Sequence, residues 1–189
     1  TGECITVIAG DIFHYKNEAD STGIKLFNYL IGGLAKLCPV LLIQGNHDYK
    51  QGKIEEPDIL SSLFYNNERN NVYYLDKTAN YIVGNVGIGV ISVKDSLDPM
   101  SNCGRKESLP EYKANFPDNI KTKIALFHGS ITGCTLQNYQ MVIKDVYPIS
   151  WIQGYDIGMF GDIHLQQIHN VEQITENEYK FDLQNDMPW

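Results

Sequence analysis

Short apolar runs alternate with longer helical periods through the first half of the chain, and four of the short runs end in a polar cluster. Residues 4–9 are apolar and rich in β-branched side chains, which predicts a buried strand ending at Gly10-Asp11. Across residues 22–38, Ile24, Phe27, Leu30, Ile31, Leu34 and Leu37 recur at threes and fours. That period predicts a helix, stopped by Pro39. Residues 40–43 predict a second buried strand, which runs into Gly45-Asn46-His47-Asp48. A second helix is expected over about residues 56–65, with Pro57 in its first turn.

Strand signals return at residues 72–75 and 81–93, where Gly84-Asn85-Val86-Gly87 marks a hairpin. Residues 94–123 are rich in Pro, Gly, Asn and Ser and predict a long loop with at most one short helix. Residues 124–127 and 157–160 are again strand-like, and lead into His128-Gly129 and Gly161-Asp162-Ile163-His164. A hairpin at the sheet edge is expected over residues 167–181. The alternation predicts an α/β fold. In open α/β sheets ligands bind at the carboxyl ends of strands, so the four polar clusters are expected to converge on one sheet edge.

Composition changes this picture little. At 189 residues the chain fits one domain, 43% hydrophobic and 20% charged. No apolar run reaches the roughly 18–20 residues needed to span a bilayer, and no stretch reads as a signal peptide. Cys4, Cys38, Cys103 and Cys134 are scattered without CxxC pairing, which favours reduced thiols and an intracellular location. The net charge of −8 does not advertise nucleic-acid binding. Half of it lies in residues 171–189, and bound cations would reverse the field at the clusters. Thr1 opens the chain almost directly on a strand, and Trp189 closes a polar stretch. Both ends are therefore expected to be cuts in a longer protein.

The clusters combine oxygen and imidazole donors, which suits Mn²⁺, Fe²⁺ or Zn²⁺ better than Ca²⁺. Two metals roughly 3.5–4 Å apart need a bridging ligand, and a carboxylate serves well. Asp11 is the candidate, exposed at a strand tip by Gly10. Asn46 offers an amide oxygen, and His128 and His164 offer imidazole nitrogen. Asp162 and His164 are two residues apart, so a strand would turn both to one face. His47 is placed to protonate a leaving oxygen or stabilise a transition state.

The order GD, GNHD, FHG, GDxH from Gly10 to His164 resembles the calcineurin-like metallophosphoesterases. The resemblance implies a β-sandwich flanked by helices, with the active site at strand carboxyl ends. Gly10-Asp11-Ile12-Phe13-His14 is similar to the DNA double-strand-break repair nucleases, which partner an SMC-like ATPase. Nothing like the GDxVDRG of Ser/Thr protein phosphatases is present. The resemblance implies two divalent ions, Mn²⁺ foremost, with Mg²⁺, Fe²⁺ or Zn²⁺ as substitutes. Asp11 would bridge them, Asn46, His128 and Asp162 would complete one, and His164 would belong to the other. It implies a transition-state role for His47 and a substrate-positioning role for His14. It also implies DNA as substrate and a homodimer through helices such as that over residues 24–37. Lys50 and Lys53 are candidates for phosphate contact.

Two departures stand out. The family's opening DxH has no counterpart in residues 1–10, so the chain is expected to be a fragment lacking that strand and a C-terminal capping region. Asp162 stands where the family usually has His, a change that favours harder metals. Two further readings compete with the nuclease. One is a phosphodiesterase or phosphatase on a small nucleotide, favoured by the acidic charge. The other is a catalytically weakened DNA-tethering module, motivated by the two departures.

Overall fold

The computed structural model describes residues 4–15, 18–49, 56–64, 70–97, 114–131, 133–135, 147, 149–175 and 178–183. Two sheets and their helices build an α/β fold. The first sheet is parallel and ordered β1 (Thr6–Ala9), β2 (Val40–Ile43), β3 (Val72–Tyr74). The second is mixed and ordered β4 (Ala79–Val83), β5 (Val86–Ile91), β6 (Thr122–His128), β7 (Ile157–Gly161). Its β4–β5 hairpin turns at Gly84, which adopts a φ of 62° without the strain a side chain would add, while β5, β6 and β7 run parallel.

The layering follows from the two-residue period of a strand. In β2, Val40 and Leu42 face the helices α1 (Ser21–Leu34) and α2 (Ile59–Phe64), joining Phe27, Ile31 and Leu60. Leu41 and Ile43 face the other way, against Ile88, Val90 and Leu126 of the second sheet. Both faces are therefore apolar and all four side chains are almost wholly buried. That is why β2 reads as a continuous apolar run instead of an alternating one. Truncating Leu41 or Leu42 to alanine is expected to cost ~2–5 kcal/mol.

Helix α1 starts where Asp20 Oδ1 accepts the Gly23 amide at 2.6 Å. It ends earlier than its periodicity predicts, after Gly32-Gly33, two weak helix formers. Asn71 Nδ2 then donates to the Ala35 carbonyl at 2.9 Å, closing the helix end. Its outer face keeps Leu26, Tyr29 and Leu30 exposed, with Leu37 just beyond. α2 is likewise shorter than expected, and a third helix, α3 (Val93–Leu97), follows β5 directly. Most of the predicted 94–123 loop, residues 98–113, lies outside the described residues, as do Lys50 and Lys53.

The terminal hairpin differs from expectation. Among the described residues β8 (His169–Thr175) and β9 (Glu178–Leu183) pair only with one another, as a separate two-stranded sheet. The larger difference concerns the expected single sheet edge. β1 and β2 belong to one sheet, β6 and β7 to the other, so the four clusters meet where the ends of two stacked sheets come together. Among the described residues no helix is long and apolar enough to cross a membrane.

Candidate metal centre

Backbone geometry sets the centre before any side chain does. β1 ends at Ala9, and Gly10 and Asp11 then adopt left-handed φ values of 87° and 53°. β7 ends at Gly161, and Asp162 follows at φ 79°. Non-glycine residues hold such conformations at a cost of ~1–3 kcal/mol each, and they cluster at functional sites. The expectation that Asp162 and His164 share a strand face is therefore wrong. The strand stops before Asp162, and the left-handed turn re-aims its carboxylate.

The glycines are required by what lies against them. A β-carbon on Gly10 would fall 2.4 Å from His128 Nδ1, and one on Gly161 would fall 2.6 Å from the same atom and 2.0 Å from the Ala9 carbonyl. The two Gly-Asp pairs thus sandwich the His128 ring between β1 and β7.

His128, the last residue of β6, is 3% exposed. Its Nδ1 lies 2.7 Å from the Ala9 carbonyl. A carbonyl only accepts, so Nδ1 carries a proton and donates it, which turns Nε2 to the opposite side of the ring. That nitrogen faces Asp11 Oδ1 at 3.4 Å and Asp162 Oδ1 at 3.8 Å. One donor atom from each of the three residues lies within 4.8 Å of the others. Among the described residues His128 Nε2 and Asn46 Oδ1 are buried without a hydrogen-bond partner. Such orphaned atoms cost ~1–3 kcal/mol each. An imidazole nitrogen and two carboxylates within reach of one another, with a buried amide oxygen on the adjoining loop, suit a divalent cation.

The loop after β2 supplies the rest. The His47 amide donates to Asp11 Oδ1 at 3.0 Å, and its ring Nδ1 donates to the His14 carbonyl at 2.6 Å. The His14 and His47 rings stack at 5.8 Å with a 23° tilt. The structure thus brings together Asp11, His128 and Asp162, with Asn46 and His47 on the adjoining loop and His14 against His47. His164 is exposed and outside the three-residue cluster, and the described residues form one such cluster, not two.

Asp48 carries no role in the sequence reading beyond closing the GNHD turn, yet it is wholly buried. Its carboxylate accepts the amides of Gly45 at 2.8 Å, Phe13 at 3.1 Å and Ile12 at 3.4 Å. Burial pushes its pKa above the usual carboxylate range, the three amides pull it down, and the Asp11 charge adds to the rise. Its sequence signal was only its place in the motif.

Comparison with known proteins gives this geometry its context. A model of the calcineurin-like phosphoesterases matches residues 5–186. The chain belongs to that family. It is also 30% identical over 178 residues to "Uncharacterized protein R555" of Acanthamoeba polyphaga mimivirus. A second relative, at 25% identity over 167 residues, is "Putative phosphoesterase 244L" of Invertebrate iridescent virus 6. The matches take in 90% and 86% of this chain but 12% and 53% of those proteins. The chain therefore spans about an eighth of one and half of the other. Family membership places the chain among the metal-dependent phosphoesterases, and the Asp11–His128–Asp162 cluster is its candidate metal site.

Proposed function

We propose that this chain is the catalytic part of a DNA nuclease that hydrolyses phosphodiester bonds, chiefly as an exonuclease with endonuclease cleavage as a second mode. The observation that carries the reading is the His14–His47 pair beside the metal cluster, in which the GDIFH segment reaches the GNHD loop. That segment is what resembles the double-strand-break repair nucleases. Asp11, Asn46, His128 and Asp162 would hold one ion, and His164 would serve a second, Mn²⁺ being the preferred metal. Bound divalent ions supply Lewis acidity at the phosphoryl group and activate water near neutral pH.

The chain's own residues supply positioning and proton transfer. The His14 carbonyl fixes the His47 ring through Nδ1 and leaves Nε2 free, so a ring carrying a proton on both nitrogens would give the Nε2 proton to the departing oxygen and keep the one on Nδ1. The exposed His14 ring, stacked on His47, is placed to orient the substrate phosphate. DNA and an SMC-like ATPase are the proposed partners. The exposed Leu26, Tyr29 and Leu30 of α1 support a homodimer.

The test is incubation with Mn²⁺ and linear double-stranded or single-stranded DNA, alongside a chromogenic phosphodiester. DNA should shorten, and His47→Ala should slow turnover ~10²–10⁴-fold with little change in metal affinity. Intact DNA with hydrolysis of the small diester would overturn the nuclease reading. That outcome would favour a small-nucleotide phosphoesterase, the reading supported by the net charge of −8.

A further inference from the structure

We infer that Asp48 is the positioning residue of the metal centre, acting through Asp11 and His47 without touching metal or substrate. This rests on the metal-centre reading and not on the choice of DNA as substrate.

The two loops that carry Asp11 and Asn46 come from different strands, 35 residues apart in sequence. What joins them is one buried carboxylate. Asp48 Oδ2 takes the Gly45 amide, the first residue of its own loop, and also the Ile12 amide across the gap. Oδ1 takes the Phe13 amide. Ile12 and Phe13 directly follow the left-handed Asp11, so anchoring them helps fix the direction in which the Asp11 carboxylate leaves the backbone. Two more contacts depend on this registration. The His47 amide reaches Asp11 Oδ1, and the His14 carbonyl reaches His47 Nδ1. Close packing leaves no slack, since a β-carbon on Gly45 would fall 2.2 Å from Asp11 Oδ1.

A carboxylate suits the task because it only accepts, and all three groups facing it are amide donors. Asn at this position keeps the shape but turns an NH₂ toward an N–H. One arm of the clamp must then open. Asp48 is wholly buried, and removing the carboxylate leaves amides without acceptors. The same desolvation that opposes its charge makes those hydrogen bonds strong.

The experiment is Mn²⁺ titration calorimetry on the wild type, Asp48→Asn, Asp11→Asn and the double variant, with thermal melting in chelator to verify folding. Supporting partners of metal ligands are typically worth ~10–100-fold in affinity, and Asp48→Asn should fall in that range. The double variant should lose no more than Asp11→Asn alone, because both changes act on one ligand. For turnover, kcat should fall while KM stays within about twofold, since no substrate contact is removed. An Asp48→Asn chain that binds Mn²⁺ like the wild type, or losses that multiply in the double variant, would overturn the inference. A wild type that binds no Mn²⁺ overturns the metal-centre reading itself, and this inference with it. If Asp48→Asn does not fold, amide exchange on the metal-free wild type decides. Protected Ile12, Phe13 and Gly45 amides support a preformed clamp, and exchange at open-loop rates rules it out.

Discussion

Two polar clusters flank the end of β2, and they differ in whether their atoms are satisfied. On one side lies the network around Asp58, which is wholly buried. Asp58 accepts the Ser61 amide and hydroxyl at 2.7 Å each, and Tyr74 Oη and Lys94 Nζ at 2.8 Å each. Gln44, the residue before the metal-site loop, extends it by donating to Ser92 Oγ at 2.8 Å. On the other side lie Asp11, Asn46, His128 and Asp162, with two orphaned buried atoms and two left-handed aspartates. The first cluster is closed and holds the fold. The second is strained and underpartnered, which makes it the candidate for a ligand.

The largest expected effect tests the closed cluster. Asp58→Ala should destabilise the chain by ~3–5 kcal/mol, because the Lys94 ammonium, 19% exposed, is left without its counter-ion. Urea unfolding measures this, and Mn²⁺ affinity of the folded protein should stay within about twofold. A parallel loss of affinity would show that the two clusters are one. The same group gives a pH test. Burial pushes the Asp58 carboxyl up, but Lys94, Ser61 and Tyr74 together hold it below its ordinary range. A lowered folded pKa means that its stabilisation is intact above the unfolded value of about 3.9 and is lost as pH falls through the folded value. Asp58→Asn should therefore flatten stability against pH in that acid window and leave the neutral region without a slope.

The next effect has the opposite character. Asn46→Ala removes a buried oxygen that no described residue partners. Metal-free stability should change by less than about 1 kcal/mol. Mn²⁺ affinity should fall at least about 100-fold, roughly 2.7 kcal/mol, because outer partners of ligands alone reach that figure. Calorimetry beside chelator-treated melting separates the two readouts. A large stability loss with unchanged affinity would place Asn46 in the structural class.

Most elements of this fold are legible in the sequence, because a buried strand is a run of apolar residues and β1, β2, β6 and β7 are such runs. The allocation of strands to two sheets is not legible. Val72–Tyr74 and Ala79–Val83 lie five residues apart yet join different sheets, and nothing local in an apolar run names its neighbour. The polar ends of the strands are visible as motifs, which is why Asp11, His128 and Asp162 can be expected near one another. Their backbone geometry is not, although the repeated Gly-Asp at both strand ends was its trace. The Asp58 network was invisible for a different reason. Gln44, Asp58, Tyr74 and Lys94 span 50 residues without shared periodicity, and long-range hydrogen bonds leave no spacing rule.

The smallest effect asks whether the strain in the open cluster is functional. Asp11 and Asp162 side chains are 28% and 37% exposed and place carboxylate oxygens within 4.8 Å of each other. Without a cation these like charges repel, and solvent screening at that exposure reduces the cost to ~1 kcal/mol. Asp162→Asn removes one charge and keeps a residue type that tolerates the left-handed backbone. In chelator the variant should therefore melt about 2–4 °C above the wild type, as expected for a chain of this size. Saturating Mn²⁺ should reverse the order, because the wild type gains stability from ligand binding in proportion to its tighter affinity. A variant that melts lower in both conditions would mean that Asp162 belongs with Asp58 and holds structure. The crossing of the two melting orders is what separates a carboxylate kept for a metal from one kept for the fold.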